Sequence, residues 1–455
     1  MSFNEKERQE LSARFKSKAE GIYLPFSNET FKNYNVKRGL RNEDGTGVIA
    51  GLTSIGSVIG YEIVDGVKIP SEGQLRYRGY SISDIVHSCE KEKRFGFEEV
   101  AYLLLFGQLP DKAALKDFTR LIGSCRPLPY GFAEDMILKA PSGDIMNKLA
   151  RSVLASYSYD DEPDDISAGN MLRQSIELIA RLPVMAAYGY EAKRHYYDGQ
   201  SLILHTPQAD LSTAENFLYM IRPDNKYTRD EAEMLDVMLM IHAEHGGGNN
   251  SAFATRVVSS SGTDTYSAIA AAIGSLKGPK HGGANAKVMA MMNNIEENIS
   301  DWSDRDEVEA YLEKILRKEA FDGSGLIYGM GHAIYTKSDP RALLLKEHAG
   351  RLAAKKKKFE KEYKLYNLIE ELTPGVFKRV RGSDKPMCAN VDLYSGFVYK
   401  MLGIPQELYT PLFAISRVVG WSAHRLEEVL GCSRIIRPAY KWIVTNKKYI
   451  SIKER

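Results

Sequence analysis

The stretch of this chain that decides its fold is TPLFAISRVVGWSAHRLEEVLG, at residues 410–431. It opens with Thr410 and Pro411, which favour the first turn of a helix, and it ends at Gly431, which favours helix termination. Between these ends, apolar residues recur at helical spacing over a broad face. The stretch therefore predicts a long helix that packs against a core.

Nearly all of the sequence after Ser83 repeats this pattern. A glycine also ends the apolar helical run of FEEVAYLLLFG, at 97–107, and a capping box, TRDE at 228–231, precedes the run LDVMLMI. One charged helix is predicted for RALLLKEHAGRLAAKKKKFEKEY, at 341–363. We expect an all-α fold.

One small β element is predicted beside the helices. The segment is GYEIVDGVKIPSEGQLRYRGY, at 60–80, in which Asp65 and Gly66 separate two short alternating runs. An Asp-Gly turn between alternating runs predicts a hairpin or ribbon rather than the core of a sheet.

The composition is that of a globular protein whose net charge is too small to attract polyanions. The chain has 455 residues, 44% hydrophobic and 26% charged, and this length predicts two domains. Lys and Arg number 61 against 59 Asp and Glu, so nothing favours nucleic acid or a membrane surface as a partner. Anionic ligands must then be bound locally.

The cysteines and the N-terminal sequence indicate a cytoplasmic protein. The four cysteines are scattered without CxxC spacing, which argues against a zinc site or a disulfide framework. The N-terminal sequence carries charges of both signs and no apolar core, unlike a signal or transit peptide. Elsewhere in the chain, the apolar run from Ala268 to Leu276 is far short of the roughly 18 residues that a membrane span needs.

Four glycine-flanked segments carry the candidate chemistry. They are HAEHGGGN at 242–249, GPKHGGAN at 278–285, GMGHAIYTKSDPR at 329–341 and NVDLYSG at 390–396. Glycine lets a ligand approach the backbone, and side chains at element boundaries can converge on one cleft. We interpret the residues that these segments place there as an acid/base constellation: His245, His281, His332, Arg341 and Asp392.

His281 precedes the helical run ANAKVMAMMNNIEE and so lies near a helix N-terminus. There the macrodipole disfavours imidazolium, and a neutral imidazole can donate its N–H to a carbonyl oxygen that gains negative charge. The alternative is a histidine that only caps the helix.

His332 lies in a glycine-rich turn, and Arg341 follows Pro340 at the start of the next helix. Proline suits the first helical position, so Arg341 projects from an N-terminus that favours anions. A carboxylate or phosphate is the predicted ligand. The alternative is a structural contact between Asp339 and Arg341 beside a loop histidine.

Three residues in these segments have open interpretations. His242 and His245 are predicted on one face at a helix end, where hydrogen bonding is favoured over metal binding because HExxH spacing is absent. Asp392 precedes a helical run. It can either cap that helix or serve as a base, and as a base it needs a pKa raised by partial desolvation.

Two more arginines form an anion-binding set with Arg341. Arg417 lies among apolar residues, where an unpaired charge is costly, so it requires an anion. Arg437, in IIRPAY near the C-terminal end, is the third candidate. Three planar donors suit a di- or tricarboxylate.

In order and separation, these segments resemble the citrate synthase family. GPKHGGAN, GHxxxxxDPR and NVDxxSG are specific in combination, and the likeness extends through LRYRGYSISDIV at 75–86, FEEVAYLLLFGQLP at 97–110 and the stretch 390–438. The resemblance implies a two-domain, almost all-α homodimer with the active site in the cleft between the domains. The large domain would comprise 1–282 and 401–455, and the small domain, with the CoA site, 283–400.

The resemblance also implies an activity: condensation of acetyl-CoA with oxaloacetate and water to citrate and CoA, with no cofactor and no metal. His281 would stabilise the enol of the acyl-CoA while Asp392 removes its methyl proton, and His332 would polarise and protonate the ketone. Oxaloacetate would be held by His245, Arg341, Arg417 and, from the other subunit, Arg437.

CoA contacts are implied at Gly329, Met330, Gly331 and Lys337. Many relatives carry basic residues where this chain has Ala333 and Thr336, so Lys355 to Lys358 and Lys385 are further candidates for binding the CoA phosphates.

Two other functions stay open. A 2-methylcitrate synthase uses propionyl-CoA with the same residues, and one methylene is worth only ~1–3 kcal/mol of discrimination. A non-catalytic CoA- or carboxylate-binding protein on the same fold is the other alternative, although it would have no reason to retain every acid/base residue.

Overall fold

The computed structural model describes residues 4–23, 25–65, 67–383 and 386–455. The predicted turn residue Gly66 and the CoA-phosphate candidate Lys385 therefore fall outside the described residues, whereas the strands on both sides of Gly66 are described. The chain divides into two compact units. One comprises Gly51–Ile436, and the other comprises Met1–Ala50 with Arg437–Arg455.

The smaller unit contains two helices, α1 (Glu5–Ile22) and α2 (Asn28–Asn33), and a 3₁₀ turn at Arg38–Leu40. A capping box starts α1, because Asn4 accepts the Glu7 N–H at 2.8 Å and Glu7 accepts the Asn4 N–H at 3.2 Å. Neither helix buries a residue. Local hydrogen bonds, rather than a core, therefore define these two helices.

The larger unit begins with the predicted hairpin. Its strands are β1 (Gly56–Val64) and β2 (Val67–Tyr77), which pair antiparallel from Gly56 opposite Tyr77 to Val64 opposite Val67. A third short strand, β3 (Tyr80–Ser81), pairs with β2. The hairpin prediction is confirmed, and β3 extends it to a three-stranded sheet.

Helices make up most of the larger unit, as predicted from the sequence. They are α3 (Ile82–Lys91), α4 (Phe97–Phe106), α5 (Lys112–Cys125), α6 (Ile145–Ser156), α7 (Ala168–Asp198), α8 (Thr213–Ile221), α9 (Arg229–His242), α10 (Asn250–Ser259), α11 (Thr265–Lys277), α12 (Ala284–Asn298), α13 (Arg305–Leu316), α14 (Pro340–Lys355), α15 (Glu360–Arg381), α16 (Val391–Met401) and α17 (Tyr409–Gly431). Within the described ranges, no helix is long and apolar enough to cross a membrane.

Several helix ends lie where the sequence signals predict them. Gly107 ends α4 with a left-handed φ of 79°, and the capping box of Thr228 and Glu231 starts α9. The deciding helix, α17, ends at Gly431 and starts at Tyr409, one residue before the predicted Thr410.

Helix α17 forms the centre of the core, where it packs against α4, α7, α9, α10 and α11. Its buried surface is not wholly apolar, because Arg417, His424 and Arg425 all have 0% of their surface exposed. Buried charges need specific partners. This helix therefore directs attention to polar chemistry inside the core.

Helices α12 to α16 pack mainly against one another, through α12 with α16, α13 with α15, and α14 with both α15 and α16. Helix α14 also contacts α3, α9 and β2. The predicted small domain, 283–400, covers this group, and its identity as a separate domain stays a prediction.

The prediction of a single helix over 341–363 is wrong. Helix α14 ends at Lys355, Lys356 leaves the helical conformation with φ −99° and ψ 71°, and α15 starts at Glu360. The Lys356 ammonium donates to Glu231 at 2.6 Å and to the Met401 carbonyl oxygen at 2.9 Å. These tertiary contacts coincide with the break, which no glycine or proline marks in the sequence.

Candidate active site

Six of the seven predicted catalytic and oxaloacetate-binding residues lie in the larger unit. His245 follows α9, His281 precedes α12, His332 precedes α14, Arg341 lies in the first turn of α14, Asp392 lies in the first turn of α16, and Arg417 lies within α17. Arg437 belongs to the smaller unit and is exposed. Its role across a subunit interface stays a prediction.

Arg417 has buried donors that nothing in the described chain satisfies. Its Nε donates to the His242 carbonyl oxygen at 2.6 Å, whereas Nη1 and Nη2 have no hydrogen-bond partner among the described residues. Burial lowers the pKa of Arg417 to about 10, and the charge of Glu244 opposes that effect. The guanidinium is therefore charged at neutral pH and presents two buried donors suited to a carboxylate.

His245 lies beyond the end of α9, because the helix ends at His242 and Gly246 turns the chain with φ 83°. The prediction that both histidines share a helix face is therefore wrong. His242 Nδ1 lies 2.8 Å from the Met238 carbonyl oxygen, a contact inside the helix. His245 Nε2 is buried without a partner among the described residues.

The surroundings of His245 keep its ring neutral. Its centroid lies 5.3 Å from that of His332 and 5.6 Å from that of Tyr335. Burial first, and then the charges of Arg341 and other neighbours, hold the pKa of His245 well below its usual range. A neutral ring can present one N–H to a ligand oxygen.

The backbone contacts of His332 show which of its ring nitrogens accepts hydrogen bonds. Its Nδ1 accepts the backbone N–H groups of Ile334 and Tyr335, each at 3.1 Å. A nitrogen that accepts carries no proton, so the neutral ring is protonated at Nε2. The ring also stacks on Tyr335 with centroids 4.7 Å apart.

The β1–β2 hairpin supports the loop that carries His332. The Thr336 hydroxyl donates to the Gly60 carbonyl oxygen at 2.6 Å, and the Gly73 N–H donates to Ser338 Oγ at 3.1 Å. A Cβ on Gly60 would lie 2.5 Å from the Ile334 carbonyl oxygen, and one on Gly73 would lie 2.1 Å from that of Ser338. Both positions therefore require glycine.

A second set of backbone contacts holds the His332 turn beside the start of α16. The Gly331 N–H donates to the Cys388 carbonyl oxygen at 2.8 Å, and the Asn390 N–H donates to that of Gly329 at 2.9 Å. Gly329 and Gly331 both have φ of 84°. The glycines thus join the segment of His332 to the segment of Asp392.

Arg341 is buried and paired. Its Nε and Nη2 donate to the two carboxylate oxygens of Asp339 at 3.0 and 2.7 Å. Burial alone would lower the pKa of Arg341, but Asp339 more than offsets it and raises the pKa above its usual value. The Asp339 contact left open from the sequence is therefore present, and it fixes the guanidinium 5.7 Å from the Tyr335 ring.

Asp392 does not cap α16, so the capping interpretation is wrong. The N-cap is Asn390, whose side chain accepts the Asp392 N–H at 3.0 Å. Burial raises the pKa of Asp392 to about 6; Arg341 opposes this effect and Asp339 adds to it. Asp392 is therefore a carboxylate at neutral pH with the basicity that proton abstraction requires.

His281 is held by α10. Its Nε2 accepts the Ser251 backbone N–H at 3.3 Å and lies 3.0 Å from Ser251 Oγ. Because Nε2 accepts, the neutral ring is protonated at Nδ1. Burial and the charge of Arg417 lower the pKa of His281 to about 4, so the ring is neutral at physiological pH.

Electrostatic effects link these groups. Arg417 acts on His281 and His245, and Arg341 acts on His245 and Asp392. The structure therefore brings six residues from distant segments into one electrostatic neighbourhood. It combines neutral imidazoles, a basic carboxylate and buried cations, which is an arrangement able to move protons on a bound anion.

Sequence reasoning missed several residues that support the site. Trp421 Nε1 donates to Ser251 Oγ at 3.1 Å, and His424 Nε2 lies 2.9 Å from the buried carboxylate of Glu244. The Tyr77 hydroxyl lies 3.1 Å from the Glu244 carbonyl oxygen. Glu244 stands between the two histidines of HAEH, which is the one signal that could have identified it.

The candidate CoA residues have mixed surroundings. Lys337 is exposed, and the Met330 N–H donates to the Ile327 carbonyl oxygen at 3.3 Å. Lys355 pairs with Asp230 at 2.7 Å and Lys356 with Glu231 at 2.6 Å. These two lysines therefore already have acidic partners, and the CoA contacts stay predictions.

The described residues contain no group of three or more His, Cys, Asp or Glu side chains that could hold a metal ion.

Comparisons with known proteins give the class of the fold and the site. The family model for citrate synthase, C-terminal domain, matches residues 44–439. Helices α1 and α2 precede the matched region.

Individual relatives are similar over most of their length. A citrate synthase of Synechocystis is 35% identical over 90% of this chain and 93% of its own. The 2-methylcitrate synthase 1 of Corynebacterium glutamicum is 32% identical over 92% of this chain and 98% of its own.

Solved structures share the fold. Citrate synthase from Pyrobaculum aerophilum has a TM-score of 0.72 and 31% identity, with 90% of this chain and 94% of that chain covered. The ternary complex of Thermoplasma acidophilum citrate synthase with carboxymethyl coenzyme A and oxaloacetate has a TM-score of 0.73 and 28% identity, with 90% and 97% covered.

Together, the fold, the site and these similarities define an acyltransferase of the all-α class. The chain belongs to the citrate synthase family.

Proposed function

We propose that this protein condenses oxaloacetate with acetyl-CoA and water to give citrate and CoA. The observation that carries the proposal is the pair of buried Nη atoms of Arg417, which have no hydrogen-bond partner in the described part of the chain. The charge of Arg417 also lowers the pKa of both His245 and His281. Such a cation favours a small carboxylate beside groups that can transfer protons.

In this proposal, oxaloacetate is bound by Arg417, Arg341 and His245. Arg417 offers two donors to one carboxylate, as planar guanidinium groups do. Arg341 adds positive charge that Asp339 keeps oriented. We propose that Arg437 of a second subunit completes the site in a homodimer.

Enolisation of the acyl-CoA needs a base and an oxyanion donor acting together, because a thioester C–H is a weak acid. Asp392 removes the methyl proton, and the Nδ1–H of neutral His281 donates to the thioester oxygen as it gains charge. Ser251 supports this role, since its N–H occupies His281 Nε2 and leaves the proton on Nδ1.

Carbon–carbon bond formation then requires a polarised ketone. His332, protonated at Nε2, polarises the ketone oxygen of oxaloacetate and transfers a proton to it as the enol carbon attacks. Water hydrolyses the resulting citryl thioester, which releases the CoA thiol. No step requires a metal or a further cofactor.

We further propose that the small domain, 283–400, closes on the large domain formed by 1–282 and 401–455. His332 and Asp392 belong to the moving part, so binding of oxaloacetate would assemble the acyl-CoA site. Closure also shields the enol from premature reaction with water. CoA contacts at Gly329 to Gly331 and Lys337 belong to the same proposal.

The second candidate is 2-methylcitrate synthesis from propionyl-CoA, which the similarity to the Corynebacterium glutamicum enzyme favours. The same residues serve both reactions, and the difference is one methylene in the acyl pocket. We favour acetyl-CoA.

Release of free thiol tests both candidates. The protein is incubated with oxaloacetate and either acetyl-CoA or propionyl-CoA. One control omits oxaloacetate, and the other replaces the protein by the Asp392→Asn variant. We expect oxaloacetate-dependent thiol release and a higher kcat/KM for acetyl-CoA. A higher value for propionyl-CoA would identify the second candidate, and no release with either would refute the condensing activity.

A further inference from the structure

Glu244 is a fully buried carboxylate near Arg417 that does not pair with it. Both side chains have 0% of their surface exposed. Among the described residues, Glu244 Oε2 and the two Nη atoms of Arg417 have no hydrogen-bond partner. The two residues nevertheless stabilise each other's charge. Arg417 lowers the pKa of Glu244, and Glu244 raises the pKa of Arg417.

The other carboxylate oxygen of Glu244 is fixed in place. Its Oε1 accepts the Gly246 N–H at 2.5 Å and lies 2.9 Å from His424 Nε2. His424 Nδ1 lies 2.7 Å from Arg256 Nη2. Because arginine can only donate, Nδ1 accepts and the proton of His424 is on Nε2, directed at Glu244.

The packing of α17 also requires this position of Glu244. A Cβ on Gly420 would lie 2.4 Å from Glu244 Oε2 and 2.4 Å from the Ala243 carbonyl oxygen. The Gly420 N–H donates to that carbonyl oxygen at 3.2 Å. Only glycine allows the helix to approach the turn so closely.

An uncompensated guanidinium in the core would be costly, since buried charges require a countercharge. A directly paired carboxylate would meet that need but would occupy the donors that a substrate uses. Glu244 can meet it without a direct pair. It lies two residues after His242, whose carbonyl oxygen accepts Arg417 Nε at 2.6 Å, and Gly246 and His424 hold its Oε1.

We propose that Glu244 is a positioning residue of the substrate-carboxylate site, whose fixed charge balances Arg417 while leaving both Nη atoms to the substrate. The identity of that substrate as oxaloacetate rests on the proposed function. The same negative charge repels a dianion, so Glu244 stabilises the free protein and weakens substrate binding.

The first test is independent of substrate. Thermal unfolding is measured for Glu244→Gln, Arg417→Gln and the double variant. Glutamine keeps one oxygen as the acceptor for Gly246 and His424, and it replaces the other, charged carboxylate oxygen by a neutral NH2 group. We expect Glu244→Gln to lower the Tm and the added Arg417→Gln to restore part of it. The proposal is also supported if Glu244→Gln does not fold and the double variant does.

The proposal is overturned if Arg417→Gln lowers the Tm equally in both backgrounds, or if the double variant fails to fold while Arg417→Gln alone folds.

The second test measures oxaloacetate binding by calorimetry. We expect the Kd of Glu244→Gln to be about tenfold smaller than that of the wild type, a change that one charge removed from a buried site can produce, with no gain in kcat. Glu428→Gln is the matched control, because Glu428 pairs with Arg256 at 2.8 Å at the far end of the same network. Its Kd should stay within about twofold of the wild type.

An equal or larger Kd in Glu244→Gln overturns the proposal. Failure of the wild type to bind oxaloacetate overturns the proposed substrate instead, and the unfolding cycle then still decides whether Glu244 is the countercharge of Arg417.

Discussion

The side-chain oxygen of Asn390 accepts the backbone N–H of Asp392 at 3.0 Å, so the cap of α16 and the candidate base are two different residues. A carboxylate that caps a helix is stabilised in its charged form and loses basicity. Because Asn390 serves as the cap, burial can instead raise the pKa of Asp392 to about 6.

Asp392→Asn should lower kcat by about 10² to 10⁴, since it removes the general base and keeps the shape of the side chain. Oxaloacetate should still bind with a similar Kd by calorimetry. Asp236→Asn is the matched control, because Asp236 is also a buried carboxyl group, with a pKa that burial raises to about 8, in contact with the start of α4. Unchanged turnover in Asp392→Asn would exclude it as the base.

The pH dependence of kcat/KM should report the same carboxylate. The base acts when ionised, so the rate should fall as pH decreases through about 6, the pKa of Asp392. His281, with a pKa of about 4, stays neutral over this range, so the fall should correspond to one proton. A profile that is flat down to pH 5 would contradict the raised pKa.

The same pKa shift predicts how stability depends on pH. The pKa of Asp392 is higher in the folded state, at about 6, than the ordinary aspartate value of 3.8 that applies to the unfolded chain. Its contribution to stability is therefore present below the unfolded pKa and is lost as pH rises through 6. Between pH 4 and 7, the free energy of unfolding of Asp392→Asn should therefore rise relative to that of the wild type, by at most about 3 kcal/mol. A Tm difference that does not change over this range would argue against the shift.

The hairpin should influence catalysis through the loop of His332. In Gly73→Ala the new Cβ would lie 2.1 Å from the Ser338 carbonyl oxygen, so the loop or the hairpin must move. We expect a lower Tm and a loss of kcat of at least about tenfold, since small misplacements of catalytic groups are costly. Gly274→Ala in α11 is the control, because its Cβ would meet nothing within 4 Å; equal behaviour of the two variants would disprove the support role.

Local signals in the sequence were sufficient for elements whose cause is local. Gly107 ends α4 because its left-handed φ needs glycine, and the hairpin follows from alternation around an Asp-Gly turn. Asn390 and Asp392 are both residue types that cap helices, so spacing alone could not assign the cap. The break after Lys355 coincides with contacts of Lys356 to Glu231 and Met401, which no local pattern encodes.

Contacts between distant parts of the chain account for what sequence reasoning missed in the site. Glu244 and His424 are 180 positions apart, and the role of each depends on the other. Arg417 could be recognised alone, since a charge among apolar residues requires explanation. Its countercharge could not, because a glutamate after a helix reads equally well as a solvated residue.

Mixing of variant subunits should show whether Arg437 acts across a dimer interface. In a dimer formed from one Arg437→Ala subunit and one Asp392→Asn subunit, one of the two sites contains both native residues if Arg437 comes from the partner. Each variant alone should be nearly inactive, and an equal mixture that exchanges subunits should recover about a quarter of wild-type activity. The control is a mixture of Asp392→Asn with His281→Ala. Both of these residues are proposed to lie in the subunit's own site, so each site of a mixed dimer retains one lesion. We therefore expect the control mixture to recover no activity. If neither mixture recovers activity although subunit exchange is demonstrated, Arg437 does not act in the partner's site.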